Sequence, residues 1–370
     1  MPHQDDMNPD KPYWVAFNMA PGVGPAAFSR LLAHFDSLSD AWRASETELT
    51  QSGLDRRAVR AIVANRPKIA FERELARAEQ AGITVLTWDE PGYPARLREI
   101  YHPPPVIYVR GSLLPEDERA VAVVGTRHAS AYGRDVAERL SADLARHRIT
   151  VVSGLARGID SAAHRAALAA GGRTIAVFGC GIDIVYPAEH RRLAEDVAAS
   201  GALVSEFPLG TRPQPDFFPR RNRIMSGLAL GVLVAEAPQR SGALITASFA
   251  AEQGRDVFAV PGSIFAPSYA GCHDLLRDGA KLVTDVKDIL EELNVSEVAE
   301  QPPLPGLAPA DATEALLLRH LSADPTHIDE VRQLVGLPIA TVSSTMALME
   351  LKGMVRHLGG MNYVRAAGYA

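Results

Sequence analysis

Apolar positions change their rhythm twice along the 370 residues. Near the start, Ala20-Pro21-Gly22-Val23-Gly24-Pro25 precedes Ala26, Phe28, Leu31, Leu32 and Phe35 at helical spacing. Gln51-Ser52-Gly53-Leu54 opens a second helical stretch through Val59 and Ile62. Helix, tight Gly-x-Gly turn and helix describe a small helix-hairpin-helix (SAM-like) module over residues 1–80. From Ile83 the apolar residues gather into short β-branched runs: Ile83–Leu86, Val106–Val109, Val121–Val124, Thr150–Val152, Thr174–Phe178, Ala202–Val204, Gly231–Ala235, Val257–Val260 and Lys281–Val283. Amphipathic stretches such as Asp135–Arg146, Ser161–Ala170, Glu189–Ala199 and Ala243–Gln253 lie between them. Runs that are apolar throughout and joined by helices are those of a parallel sheet covered on both faces. The predicted fold of residues 81–293 is therefore α/β, an open, doubly wound, mostly parallel Rossmann-like sheet.

The second change comes at residues 294–310, read as a linker, where Gln301–Pro309 carries four prolines in nine residues and cannot continue a helix. Over 311–370 the pattern predicts helices at Ala312–Leu321, Ile328–Val335 and Ala340–Leu351. A hairpin of Met354–Leu358 and Tyr363–Arg365 follows, turning around Gly359-Gly360. Three helices and a two-stranded wing make a winged-helix module. Its third helix would ordinarily enter a DNA groove, yet Pro338 to Leu351 contains no Lys or Arg, which favours a protein-contact role.

Charge, uninformative as a total of −6, becomes informative when divided. Residues 1–118 hold 13 Lys+Arg against 17 Asp+Glu, residues 119–290 hold 20 against 17, and residues 291–370 hold 5 against 10. Only the middle is positive, and its 17 basic residues from Arg119 to Arg255 are all arginine. A polyanionic partner would meet that region. No apolar run is long enough to span a bilayer, and the polar stretch Met1–Lys11 lacks the regions of a signal peptide. Cys180 and Cys272 are isolated, without ligand spacing. A cytoplasmic protein with no membrane partner, no metal and no cofactor is the expectation.

Ligands of an open parallel sheet sit beyond the carboxyl ends of its strands, where loops lead into helix N-termini. One such loop is Gly125-Thr126-Arg127-His128-Ala129-Ser130; its small residues admit a phosphate and Arg127 adds a charge. Its glycine spacing is not that of a dinucleotide fingerprint. A second, Ser153-Gly154-Leu155-Ala156-Arg157-Gly158-Ile159-Asp160, again sets glycine beside arginine; Asp160 reads as a helix cap and His164 as a packing histidine. A third, Gly179–Asp183, leads to Tyr186-Pro187 and Arg191-Arg192, and a fifth is Arg240-Ser241-Gly242-Ala243. The fourth carries the most chemistry: Phe217-Phe218-Pro219-Arg220-Arg221-Asn222-Arg223 places three guanidinium groups behind two aromatic rings. Guanidinium forks suit phosphate, and aromatic faces suit unpaired bases. The same segment also fits a solvated helix start with a hydrophobic staple.

Gly125-Thr126-Arg127, Ser153–Asp160 with His164, Gly179–Asp183 with Tyr186-Pro187, Ser205-Glu206, Phe218–Ile224 and Ser241-Gly242-Ala243-Leu244 occur in one order. This series resembles the DNA-processing protein A family, called DprA or Smf. The resemblance covers the whole α/β region, and the flanking modules fit the family's three-part architecture. It implies a non-catalytic homodimer that binds single-stranded DNA cooperatively and loads the RecA recombinase onto incoming DNA during natural transformation. Carried over residue by residue, the strand pocket would comprise Gly125, Thr126, Arg127, Gly154, Arg157, Gly158, Phe218, Arg220, Arg221, Asn222 and Arg223, with Ser241 and Gly242 from the fifth loop. Arg127, Arg220 and Arg221 are assigned to phosphates and Phe218 to stacking. Arg223 could instead pair with Asp216 or Glu236, and Arg191 would extend the basic face. Thr126 stands where family members commonly have serine, and His190 near a common asparagine. The competing reading is an enzyme, a nucleotide-processing phosphoribohydrolase on a related fold. Those carry a Pro-Gly-Gly-x-Gly-Thr turn and a catalytic glutamate, to which Arg240–Thr246 and Glu252 are only partly similar.

Overall fold

A computed structural model describes residues 9–295, 311–322, 326–352, 354–357 and 361–365. Most of the expected linker, 296–310, and the Gly359-Gly360 turn lie outside these residues. The chain divides into two compact units, Met1–Glu297 and Val298–Ala370.

The first unit is organised by a nine-stranded sheet: β1 (Ile83–Thr87), β2 (Val106–Gly111), β3 (Ala120–Gly125), β4 (Thr150–Ser153), β5 (Thr174–Val177), β6 (Ala202–Ser205), β7 (Gly231–Glu236), β8 (Asp256–Ala259) and β9 (Lys281–Leu282). Their spatial order is β1-β2-β6-β5-β4-β3-β7-β8-β9. The strands from β6 to β9 run parallel, whereas β1 against β2 and β2 against β6 are antiparallel. The central strands are buried along their whole length, every residue of β7 included, as a sheet covered on both faces requires. Chain order reverses between β3 and β7, so the loops leaving those two strands diverge and open a crevice between them.

Among the described residues six α-helices precede β1, including Lys11–Met19, Pro25–His34 and Arg56–Asn65. Their starts are locally encoded. Pro25 opens one helix, and Asp55 accepts the Ala58 amide at 2.7 Å at the start of another. Ser45 and Glu48 form a reciprocal capping box for Glu46–Gln51. These helices bury Trp14, Phe17, Phe28 and Trp42 in one aromatic cluster with Trp88; Phe17 and Trp42 meet edge to face at 4.9 Å. The same core continues into Phe178, Cys180 and Leu203 of the sheet region. Burying that much aromatic surface stabilises the joint at roughly 25 cal/mol per Å². Asn18 Nδ2 donates to the Glu206 carbonyl and buried Glu74 accepts the Leu209 amide, which pins the segment after β6.

The second unit has helices Ala312–Arg319, Ile328–Val335 and Ile339–Leu351 and strands β10 (Thr326–His327), β11 (Val355–His357) and β12 (Asn362–Arg365), ordered β10-β12-β11. Leu317, Val331, Val342, Met346, Met349 and Tyr363 form its core. The short strand β10 was not expected: two residues carry no alternation to read.

Candidate nucleic-acid interface

An open cleft of about 640 Å³ lies at the reversal point, lined by the connections that follow β3, β6 and β7 together with Ala156, Asp160 and Tyr186. The loop after β3 is held from below by Glu236, the last residue of β7. Its carbonyl accepts the Thr126 amide at 2.7 Å, and its fully buried Oε2 accepts the Ser130 amide at 2.9 Å and the Ser130 hydroxyl at 3.0 Å. A residue whose carbonyl takes one fixed donor and whose carboxylate takes two holds the loop in one conformation. Gly158 closes the neighbouring turn with a φ of 76°, placing its Cα against the Thr126 and Arg127 backbone where no Cβ would fit.

Arg127 projects from this loop with its Cζ 5.5 Å from the centre of the Phe218 ring. Phe218 in turn sits 5.6 Å from Tyr186, the rings inclined by 40°. Among the described residues no ion pair engages Arg127. An unneutralised guanidinium beside two aromatic faces offers a phosphate one partner and a base another. Opposite them, Ser241 caps the helix Gly242–Glu252 by accepting the Ala243 amide at 3.2 Å, and Asn222 Nδ2 donates to the Gly242 carbonyl at 3.1 Å. That bond ties the start of this helix to the helix Phe217–Leu228. First-turn amides of Gly242–Glu252 therefore border the cleft, with the positive end of the helix dipole.

Arg221 forms part of the cleft floor from inside the protein. It is 4% exposed, its Nη1 donates to the Val177 carbonyl at 2.6 Å, and burial pushes its pKa down to about 10. Gly154 lies against this guanidinium so closely that a Cβ would land on it. Asp160 is buried alongside; desolvation raises its pKa, opposed most by the charge of Arg221. The expectation that Asp160 caps its own helix is corrected: Gly158 occupies the cap position, and the Asp160 carboxylate accepts the Gly154 amide at 3.2 Å. His164 is a packing residue. Thr174 donates its hydroxyl to the Val151 carbonyl, so the imidazole Nδ1 donates to Thr174 Oγ1 at 2.7 Å, and burial lowers the ring's pKa to about 3.

The structure gathers Gly125, Thr126, Arg127, Phe218, Arg221, Asn222, Ser241 and Gly242 at the cleft, with Gly154 and Gly158 supporting it. It does not bring Arg220, Arg223, Arg157 or Arg191 there. Arg223 pairs with Glu206 at 2.6 Å, not with Asp216 or Glu236, and Arg220 approaches the same carboxylate at 3.5 Å while lying over Phe207 and Phe217. Helical geometry explains this: Arg220 and Arg223, three apart, share one face, and Arg221 and Asn222 turn toward the cleft. Arg157 is exposed and held bidentate by Glu189 at 2.6 and 2.8 Å; Arg191 is exposed on the first turn of Arg191–Ser200. Glu236, Glu206 and Tyr186 carry structural or lining roles that the sequence reading did not assign, although Ser205-Glu206 and Tyr186-Pro187 stood in its motifs. No helix among the described residues is long and apolar enough to cross a membrane.

The sequence family described as DNA recombination-mediator protein A matches residues 84–294, and the DprA winged helix domain matches residues 300–361. The chain belongs to the DNA recombination-mediator protein A family. Protein Smf of Synechocystis is 35% identical over 395 residues, covering 97% of this chain and 99% of the relative. The X-ray structure of DNA processing protein A (DprA) from Streptococcus pneumoniae superposes with a TM-score of 0.68 at 36% identity, covering 76% of this chain and 97% of that one. A structure of DNA processing protein A from Helicobacter pylori, described for its single-stranded DNA binding mode, superposes at 0.52 with 26% identity over 57% of this chain and 95% of that one. The α/β family domain spans the whole cleft, and the winged-helix match agrees with the three helices and small sheet of the second unit.

Proposed function

We propose that the cleft between the β3 and β7 loops binds one strand of DNA, and that the chain acts as a recombination mediator. In that role it shields incoming single-stranded DNA and passes it to a RecA-type recombinase. The observation that carries the reading is Arg127, unpaired and stacked on Phe218 beside Tyr186, at the reversal point of the sheet. A phosphate on Arg127 and an unpaired base near the rings use both features, whereas a duplex hides its base faces. Family membership and the H. pylori relative's described single-strand binding support it. A homodimer, a cytoplasmic location and a protein-contact role for the winged helix belong to the same proposal.

The enzymatic alternative is disfavoured by position. Glu252, its candidate catalytic glutamate, lies in the last turn of Gly242–Glu252 and faces a different surface, the one bordered by Gly22–Arg30 and Tyr101. The test is fluorescence anisotropy with oligothymidylate and duplex of equal length across a salt series. Tighter single-strand binding, weakening with a log–log slope of about −0.7 per phosphate neutralised, is expected. Equal affinity for both forms would overturn the reading.

A further inference from the structure

A second groove, of about 490 Å³, runs from the far side of Arg127 between the helices Ala131–Arg146 and Ile159–Ala169. Arg127, His128, Arg134 and Arg165 face it, together with Ser161 and one carboxylate, Glu138. Among the described residues no ion pair engages Arg127, Arg134 or Arg165. Arginines nearby on the same helix are neutralised: Arg139 reaches Asp143 and Asp285, and Arg146 reaches Asp143. Arg134 is oriented by a bond from its Nη1 to the Ala129 carbonyl at 3.2 Å, which anchors it to the loop that carries Arg127. Three converging guanidinium groups against one carboxylate leave a local positive excess in a chain whose net charge is −6. Such an excess raises the local concentration of anions. The groove has no Phe, Tyr or Trp in its lining, and His128 is its one aromatic ring, so its main offer to a strand is contact with phosphates.

We infer that this groove is a second subsite for the phosphate backbone of the same DNA strand. Arg127 is shared by both clefts, so a strand leaving the first cleft passes it and lays its next phosphates on Arg134 and Arg165. The inference rests on the single-strand reading of the first cleft and adds the direction in which the strand continues. It predicts that affinity grows with strand length until the groove is filled, and that the two arginines matter only for strands long enough to reach them.

The experiment is anisotropy with a ladder of oligothymidylates from about 4 to about 24 nucleotides, a span chosen around common single-strand site sizes. The double variant Arg134→Ala/Arg165→Ala is compared with wild type, with Arg127→Ala, and with Arg57→Ala/Arg60→Ala, which removes equal charge from exposed positions of the helix Arg56–Asn65, none of whose residues lines the groove. The double variant should match wild type on the shortest strands and bind the longest about ten-fold more weakly, as expected of two exposed charge contacts. Its salt slope on long strands should be shallower by about 1.4, two phosphates at about 0.7 each. A length profile and slope unchanged from wild type would overturn the inference. So would an equal loss at every length, or the same loss in the Arg57/Arg60 control. If instead Arg127→Ala changes nothing at any length, the first-cleft reading fails on its own, while the comparison of the double variant with wild type still reports on the groove.

Discussion

Arg221 separates a residue that touches DNA from one that holds up the surface touching it. Its guanidinium is buried, donates through Nη1 to Val177 at 2.6 Å, and has an Nε with no partner. Lowering its pKa from 12.5 to about 10 corresponds to roughly 3 kcal/mol disfavouring the charge at that position. Removing it does not recover this amount. Asp160 would lose the cation that most opposes its own desolvation, and the Val177 carbonyl would lose a charged donor. Arg221→Ala, which also leaves a cavity, should therefore destabilise by roughly 3–5 kcal/mol, the usual cost of orphaning a buried charge. Arg221→Met, which keeps most of the volume, should cost roughly 1–3 kcal/mol, and adding Asp160→Asn should restore part of that. Urea unfolding followed by tryptophan fluorescence reads stability, and anisotropy under native conditions reads binding. An Arg221→Ala protein within about 0.5 kcal/mol of wild-type stability that had nonetheless lost single-strand binding would refute the strut role. Such a result would make Arg221 a direct phosphate ligand.

Other predictions are simpler. Arg127→Ala should weaken oligothymidylate binding by roughly 1–3 kcal/mol and leave the urea midpoint nearly unchanged, because the side chain is exposed; an unchanged titration contradicts the assignment. His164, held neutral with a pKa near 3 against an ordinary 6.5, contributes stability that is complete above pH 6.5 and is lost as pH falls toward 3. Over that window the loss reaches roughly 5 kcal/mol. His164→Gln should flatten this part of the stability–pH curve, and an unaltered acid limb would show that the ring is not the titrating group. Deleting residues 311–370 should leave oligothymidylate affinity within about three-fold, since the third helix of that unit lacks cations to hold phosphates; a ten-fold loss would assign the winged helix to DNA.

The sheet was legible because strands buried on both faces are apolar along their whole length. Each of the nine runs read from the sequence coincides with a strand to within a residue or two. The direction of β1 and β2 was not legible, since an apolar run looks the same parallel or antiparallel. At the site, glycines in the loops after β3 and β4 stand where close backbone approach leaves a compositional trace, whereas Arg157, beside Gly158, turns to Glu189 and away from the cleft. What sequence could not separate were Arg220, Arg221 and Arg223. Adjacent on the chain, they face a shared carboxylate, the protein interior and the same carboxylate again. Their fates depend on Glu206 and Asp160, which reach them only through tertiary folding. The aromatic core joining Trp14 and Trp88 to the sheet region was likewise invisible, because its members are scattered over distant segments.

The location of the bound strand is tested most directly by photo-crosslinking a bromodeoxyuridine-substituted oligonucleotide to the full chain and sequencing the attached peptides. A strand in the crevice between the β3 and β7 loops puts crosslinks on Phe218 or Tyr186. Crosslinks confined to residues 311–365, or absent from both aromatic residues, would contradict it.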